Sequence, residues 1–396
     1  MALRNSNHVW TPPVRLRLAP TYEPFRSRRM APLEIRRQPS QQQTAYISRR
    51  GIQHLSLDGI PVIGLEQAIA TPFCTRQLAD LGTRVIKVER PSVGDFARAY
   101  DTRVNGLAPH FVWTNRSKEN LNVLKTLLKD TDVLVQNLAP GATDRLGLSY
   151  AKLKDEHPSL IKAYGLLALS EAGMLSITGT ETEPAKVAIS IADIASGMHA
   201  YSDILVALIK CSKTGQGSRV DISMLKAMTE RMSSPMYYAY KGQPPPKPTG
   251  VFHTSYTLPL RTLPSPMGGS SLVILGVQNE REWARLCAEV LELPELATDS
   301  RFTNNSLHSE HRRELKQILC DVFAHMLVEE VLYRPDKAQI ANAQVKNMQG
   351  VWHHEQLRAR VRWTEVETPN GKIPVLLPPG THCKRANRQS AHDWGA

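Results

Sequence analysis

Asn115-Arg116-Ser117-Lys118 sets two cations and an amide within four residues, just after Phe111 and Trp113. Such a cluster suits a phosphate or pyrophosphate, because Arg binds it bidentately and the aromatics offer a face to a flat ring. The alternative is a solvated loop. Asn137 to Gly141, with Arg145, is a second loop after a strand-like run, where backbone amides can face an anion. A plain turn fits it equally. Met267-Gly268-Gly269-Ser270 reads as a hairpin turn or as a lid. His353-His354-Glu355 is not a metal set: neighbours on a helix do not converge on one point, and no further ligand has suitable spacing. We read an exposed helix there and expect no metal. The chain has no Walker loop, no Gly-x-Gly-x-x-Gly after a strand and no Gly-x-Ser-x-Gly elbow.

The segment that must organise these groups runs from His157 to Gly179. It predicts a buried strand (Leu160, Ile161, Ala163), a break at Tyr164-Gly165, and a helix over Leu166 to Ile177. An open α/β sheet presents its chemistry at such strand ends. Yet no Asp, Cys or Ser stands between Ile161 and Leu169.

Around it, helix and strand alternate. Ile60–Leu65 predicts a strand, Glu66–Leu81 a helix stopped by Gly82, and Thr83–Glu89 a second strand, which together make a right-handed crossover of a parallel sheet. Asp132–Gln136 is the next strand, Ser190–Lys210 a long helix with one apolar stripe, and Ser218–Ile222 the strand after it. Gln243–Pro248, with three consecutive prolines, marks a boundary. Beyond it come a strand (Leu272–Val277) and helices over Glu280–Leu291, Glu310–Met326 and Val328–Tyr333. Pro369-Asn370-Gly371 then predicts a hairpin between Arg362–Val366 and Lys372–Leu376. The expected fold class is α/β: a Rossmann-like doubly wound large domain with an inserted smaller α+β domain. We assign 1–54 to a disordered Arg-rich extension, 55–235 to the first part of the large domain, 236–345 to the small domain and 346–396 to the return segment.

Composition narrows the partners. The net charge is +12, but ten Arg against Glu23 and Glu34 in residues 1–50 supply +8 of it. The remaining body is only mildly basic, which suits anionic small molecules and argues against nucleic acid. The Arg-rich start fits a mitochondrial transit segment or an unstructured extension, so the expected location is mitochondrial or cytoplasmic. Five scattered cysteines make no disulfide framework, and no apolar run is long enough to span a membrane.

As a series, Pro61-Val62-Ile63-Gly64-Leu65-Glu66, Leu78-Ala79-Asp80-Leu81-Gly82, Val85-Ile86-Lys87-Val88-Glu89-Arg90-Pro91, Gly94-Asp95, Asn115-Arg116-Ser117-Lys118 and Asp132-Val133-Leu134-Val135-Gln136-Asn137 resemble the family III CoA-transferases. Ile191-Ala192-Asp193-Ile194, Thr214-Gly215-Gln216-Gly217 and Val220-Asp221-Ile222-Ser223 continue the match. Gln278-Asn279-Glu280 to Trp283, Ala338 to Ala343 and Leu376 to Gly380 resemble the branch that handles small dicarboxylic acids. The resemblance implies an interlocked homodimer that exchanges coenzyme A, as substrate, between an acyl-CoA and a small carboxylic acid. CoA would lie near Arg98, Asn115, Arg116, Lys118, Asn137 and Arg145. It also implies a nucleophilic Asp in a segment of the form Ala-Tyr-Asp-Leu-Leu. This chain reads Ala163-Tyr164-Gly165-Leu166-Leu167, so Gly165 stands at that position, and a Gly- and Pro-containing loop before it is missing. A second shortening falls between Asn122 and Leu124. Glu171 and Asp193 are the nearby carboxylates. The alternative reading is a non-catalytic CoA-binding relative or the dimer partner of an active enzyme.

Overall fold

The computed structural model describes residues 55–380 other than 92, 117, 121–123, 167–170, 181, 251–256, 265–269 and 325. The described residues belong to one compact unit. Its first half is a chain of crossovers. Strand β1 (Pro61–Leu65) leads through helix α1 (Ala70–Asp80) to β2 (Arg84–Lys87), and α2 (Pro109–Asn115) leads to β3 (Lys118–Asn120). Strands β4 (Val133–Gln136) and β5 (Ile161–Leu166) follow, and the long helix α3 (Ile191–Thr214) delivers β6 (Arg219–Ser223). All pairs are parallel, in the order β3-β2-β1-β4-β5-β6. The strand order reverses between β1 and β4, which is where an open α/β sheet forms its ligand crevice, outside the carboxyl ends of the strands.

The cause is legible in the strands themselves. Val62, Ile63, Val85, Ile86, Val133, Leu134 and Val135 are all buried, the near-continuous apolar run of a sheet covered on both faces. One face packs on Cys74, Leu78, Ile204 and Ala207 of α1 and α3, the other on Leu128, Leu148 and Leu153. Helices α1 and α3 approach closely at Gly197, where a Cβ would stand 2.6 Å from the Ala70 carbonyl oxygen.

Three expectations change. Glu66–Leu81 is not helical from its start, because residues 66–69 form a loop and α1 begins at Ala70. Tyr164-Gly165 does not break the strand: Gly165 lies inside β5, paired with Ile222. No helix covers Leu166–Ile177 in its described part. There the chain turns at Gly173 (φ +77°), makes a single 3-10 turn at Met174–Ser176 and closes a small loop at Gly179. Apolar spacing suggested a helix, and glycines in the left-handed region overrode it. A Cβ at Gly179 would meet the Glu183 carbonyl oxygen at 2.1 Å.

The second half has a separate core. After α4 (Met224–Arg231), α5 (Ser233–Tyr238) and the proline stretch, β7 (Thr257–Pro264), β8 (Ser270–Gly276) and β9 (Ala341–Gln344) form an antiparallel sheet. The turn at Met267-Gly268-Gly269 lies outside the described residues. Helix α6 (Glu280–Arg285) passes into a π-turn at Leu286–Val290, where one continuous helix was expected. With α7 (Arg312–Phe323) and α8 (Val328–Lys337) it encloses Trp283, Phe302, Leu319 and Phe323 around Val273 and Leu275. His353-His354-Glu355 is not one helix: α9 (Met348–Trp352) ends at His353, and His354 caps α10 (Glu355–Ala359). The expected hairpin is present as β10 (Trp363–Thr368) and β11 (Gly371–Leu376). Its Ile373 packs on Ala97, Ala108 and Phe111, tying the end of the chain to the first half. Among the described residues no helix is long and apolar enough to cross a membrane.

Candidate functional site

The loop after β1 is the centre of the crevice. Gln67 is clamped to the end of β4 by both halves of an amide: its N–H donates to Asn137 Oδ1 (2.9 Å) and its carbonyl accepts from Asn137 Nδ2 (2.7 Å). The next residue, Ala68, sits at φ +62°, in the left-handed region that an L residue with a Cβ rarely adopts. Its N–H donates to Asp95 Oδ1 (3.1 Å). Held from both sides, this backbone carries strain of a kind that concentrates at functional sites.

A buried charge network fixes that loop from beneath. Glu66 folds back beside Gly64, where a Cβ would stand 2.7 Å from Oε2, and accepts from Lys118 Nζ (2.6 Å) and Thr75 Oγ1 (2.7 Å). Lys118 also donates to the Pro72 carbonyl, and Asn115 Oδ1 accepts from Lys87 Nζ (2.8 Å). Lys87 pairs with Asp95 Oδ2 at 2.5 Å. Glu89 takes Arg98 through both carboxylate oxygens, at 3.0 and 3.1 Å, and accepts the Asp95 N–H. Three cations thus meet three carboxylates, so each buried charge is compensated. Burial nevertheless pushes the Lys118 ammonium down to about 8, against the pull of Glu66.

The candidate residues therefore divide. Asn115, Arg116 and Lys118 are buried, which excludes the solvated loop. Arg116 lies apart from Lys118 and meets Asp80 at 2.9 Å, together with Arg76, which burial and Arg116 lower to about 10. Arg98 is partly exposed, with its guanidinium 4.1 Å from the Phe111 ring centre. Arg145 is exposed beside Gly141, and among the described residues it meets no carboxylate. Sequence reasoning quoted Lys87 and Asp95 only as part of a family likeness, without a role in the site, and did not single out the Ala68 backbone. A lysine in a four-residue strand covered on both faces was the available signal, since it requires an internal partner.

The two candidate carboxylates separate as well. Glu171 lies on an exposed turn five residues past β5. Asp193 is in the first turn of α3, whose N-terminus lies at the carboxyl ends of the strands because α3 must run back to start β6. Asp193 accepts the Ala70 N–H at the start of α1 and feels His110 and Lys186, but burial dominates and raises its carboxyl above the usual range. Tyr100, edge-on to His110 with ring centres 5.8 Å apart, is raised chiefly by burial, then by Asp95 and Asp193. The backbone thus gathers a partly buried carboxylate, a helix N-terminus, an imidazole and a phenol in one place. Beneath them, beside Ala163, Gln136 and Ser196, a cavity of about 10 Å³ has room for about one water. Among the described residues no group of three or more His, Cys, Asp or Glu is placed to hold a metal.

Comparison with known proteins follows the same span. The model of CoA-transferase family III matches residues 57–391. Succinyl-CoA:glutarate CoA-transferase of Homo sapiens is 29% identical over 351 residues, covering 81% of this chain and 79% of its own. Succinyl-CoA:mesaconate CoA-transferase of Haloarcula hispanica is 25% identical, covering 81% and 88%. The crystal structure of a CAIB/BAIF family protein from Brucella suis superposes with a TM-score of 0.68 at 26% identity, covering 85% of this chain and 94% of that one.

Proposed function

Because the chain belongs to CoA-transferase family III, we propose that it moves CoA between a short acyl-CoA and a small dicarboxylic acid. The observation that carries this reading is the extent of the likeness: relatives named for dicarboxylic acids match about four-fifths of the chain, and the family model spans every strand of the parallel sheet. CoA would lie along the carboxyl ends of the strands, over the Gln67–Asn137 clamp, with Arg145 and Arg98 toward its phosphates. Asn115, Arg116 and Lys118 then act from inside, holding the loop and the sheet edge that CoA meets.

The nucleophile is Asp193, in place of the carboxylate that Gly165 lacks. A carboxylate oxygen of Asp193 attacks the thioester carbonyl, the C–S bond breaks, and CoA leaves as thiolate. The thiolate returns to the aspartyl carbonyl of the mixed anhydride and expels the donor acid. The acceptor carboxylate then attacks the aspartyl-CoA thioester and again frees CoA thiolate, which takes the acceptor's acyl group and restores Asp193. A carboxylate is required because its acyl form exchanges with both a thiolate and another acid. The working unit is a homodimer. Exposed Val206 and Ile209 on α3, with Met236, Tyr237 and Tyr240 after α4, supply apolar surface for a second copy.

The second reading is a relative that holds CoA without transferring it, and the placement of Gly165 within β5 favours it. Incubation with succinyl-CoA and glutarate, followed by mass spectrometry, separates the two. Glutaryl-CoA formed by the wild type and lost in Asp193→Asn is the expected result. CoA binding with no glutaryl-CoA would leave the second reading.

A further inference from the structure

The C-terminal half of α1 holds a charge imbalance that the transfer reaction does not use. Asp80, the last residue of α1, meets two guanidiniums at one oxygen: Arg116 Nη2 lies 2.9 Å from Oδ2, and Arg76 Nε lies 3.8 Å from it. Arg116 also donates to Oδ1 through Nε, so it takes both oxygens and leaves Arg76 the weaker contact. The side chains of Arg116, Arg76 and Asp80 are only 5%, 10% and 2% exposed. The adjoining network pairs Lys118, Lys87 and Arg98 with Glu66, Asp95 and Glu89, and has no carboxylate to spare. One positive charge is therefore taken out of water without a counter-charge, which costs the fold free energy. Arg145 differs, because it is exposed and water solvates it.

Arg76 is also held in place. Its guanidinium carbon lies 4.7 Å from the Phe73 ring centre and 5.8 Å from that of Trp113. Among the described residues its two terminal nitrogens, and Nη1 of Arg116, donate to no protein acceptor. Unlike Arg76 Nε they are not shut off from water, so a small solute can reach them. Burial first, and then the charge of Arg116, lower the Arg76 guanidinium to about 10 against the pull of Asp80.

We propose that a small monoanion, a carboxylate or a halide, binds where the unpartnered nitrogens of Arg76 and Arg116 emerge beside α1 and α2. One negative charge balances the cluster, and the flat, ring-backed fork of Arg76 offers two parallel donors. The anion then bridges α1 to Arg116, the residue that caps α2. It has two sources, chloride or a free carboxylic acid, which share this chemistry.

Thermal unfolding of the full chain in a zwitterionic buffer, titrated separately with sodium chloride and sodium formate, tests it, with Arg76→Met alongside. Met keeps apolar packing on the two rings and removes the charge. In the wild type Tm should rise saturably, by on the order of 3 °C at a tenfold excess over the half-saturating concentration. General screening acts on both proteins alike, so the saturable part should vanish in Arg76→Met. Without added anion the variant should melt no lower than the wild type, since it loses a cation that nothing balances. Half-saturation by formate below that by chloride assigns a carboxylate; any other order assigns a halide. No saturable rise with either ion, the same rise in Arg76→Met, or a variant that melts below the wild type without anion or fails to fold would overturn the proposal.

Discussion

Lys118 carries the most instructive single interaction. Its ammonium is buried against Glu66, so removing it strands a buried carboxylate, whereas removing both charges strands no charge. Lys118→Met alone should cost about 3–5 kcal/mol in urea unfolding, and Glu66→Gln with Lys118→Met should recover most of that loss. The pH dependence has a definite sign. Folding lowers Lys118 to about 8, while an unfolded lysine titrates near 10.4. Between those values the unfolded chain binds the extra proton, so stability contributed by this group rises with pH across that window and is lowest below it. The double variant should lack that rise. The motif around Asn115 was visible in the sequence, but its role was not, because four consecutive residues show charge and not which carboxylates the fold will bring to meet them. Glu66 and Asp80 lie 52 and 36 residues from their partners.

At the scale of elements, the crossing of α1 and α3 positions the site. Asp193 reaches the first turn of α1 only because Gly197 lets the two helices close, with its absent Cβ facing the Ala70 carbonyl. Gly197→Ala should destabilise the protein by about 1–3 kcal/mol through overpacking against backbone and, by moving Ala70 away from Asp193, reduce transfer more than CoA binding. Calorimetry together with the KM and kcat for glutarate would show the split. Strands and α3 were legible because parallel-sheet strands and a long apolar stripe repeat their signal over several residues. The segment after β5 was not. Leu166, Leu167, Leu169 and Leu175 have helical spacing, but Gly173 and Gly179 accept left-handed backbone and turn the chain instead. The start of α1 was missed for a related reason: tertiary bonds from Asn137 and Asp95 hold residues 67 and 68 out of the helix that their composition would permit.

At the scale of the molecule, two cores lie on either side of the segment Gln243–Pro248, which is largely exposed and belongs to no strand or helix. We propose the boundary of the small domain there. Brief proteolysis should cut within about residues 241–250 before it cuts β1–β6, with peptide mass spectrometry reporting the site; first cleavage inside the parallel sheet would contradict the boundary. The chain belongs to CoA-transferase family III, and we propose that its reactive carboxylate stands on α3 instead of after β5. The most direct test is to incubate the protein with succinyl-CoA and then hydroxylamine, which traps an aspartyl-CoA thioester as a stable hydroxamate, and to map the modified peptide. A hydroxamate on Asp193 is expected. A hydroxamate on Glu171 or any other residue, or none while CoA binding is intact, would contradict it.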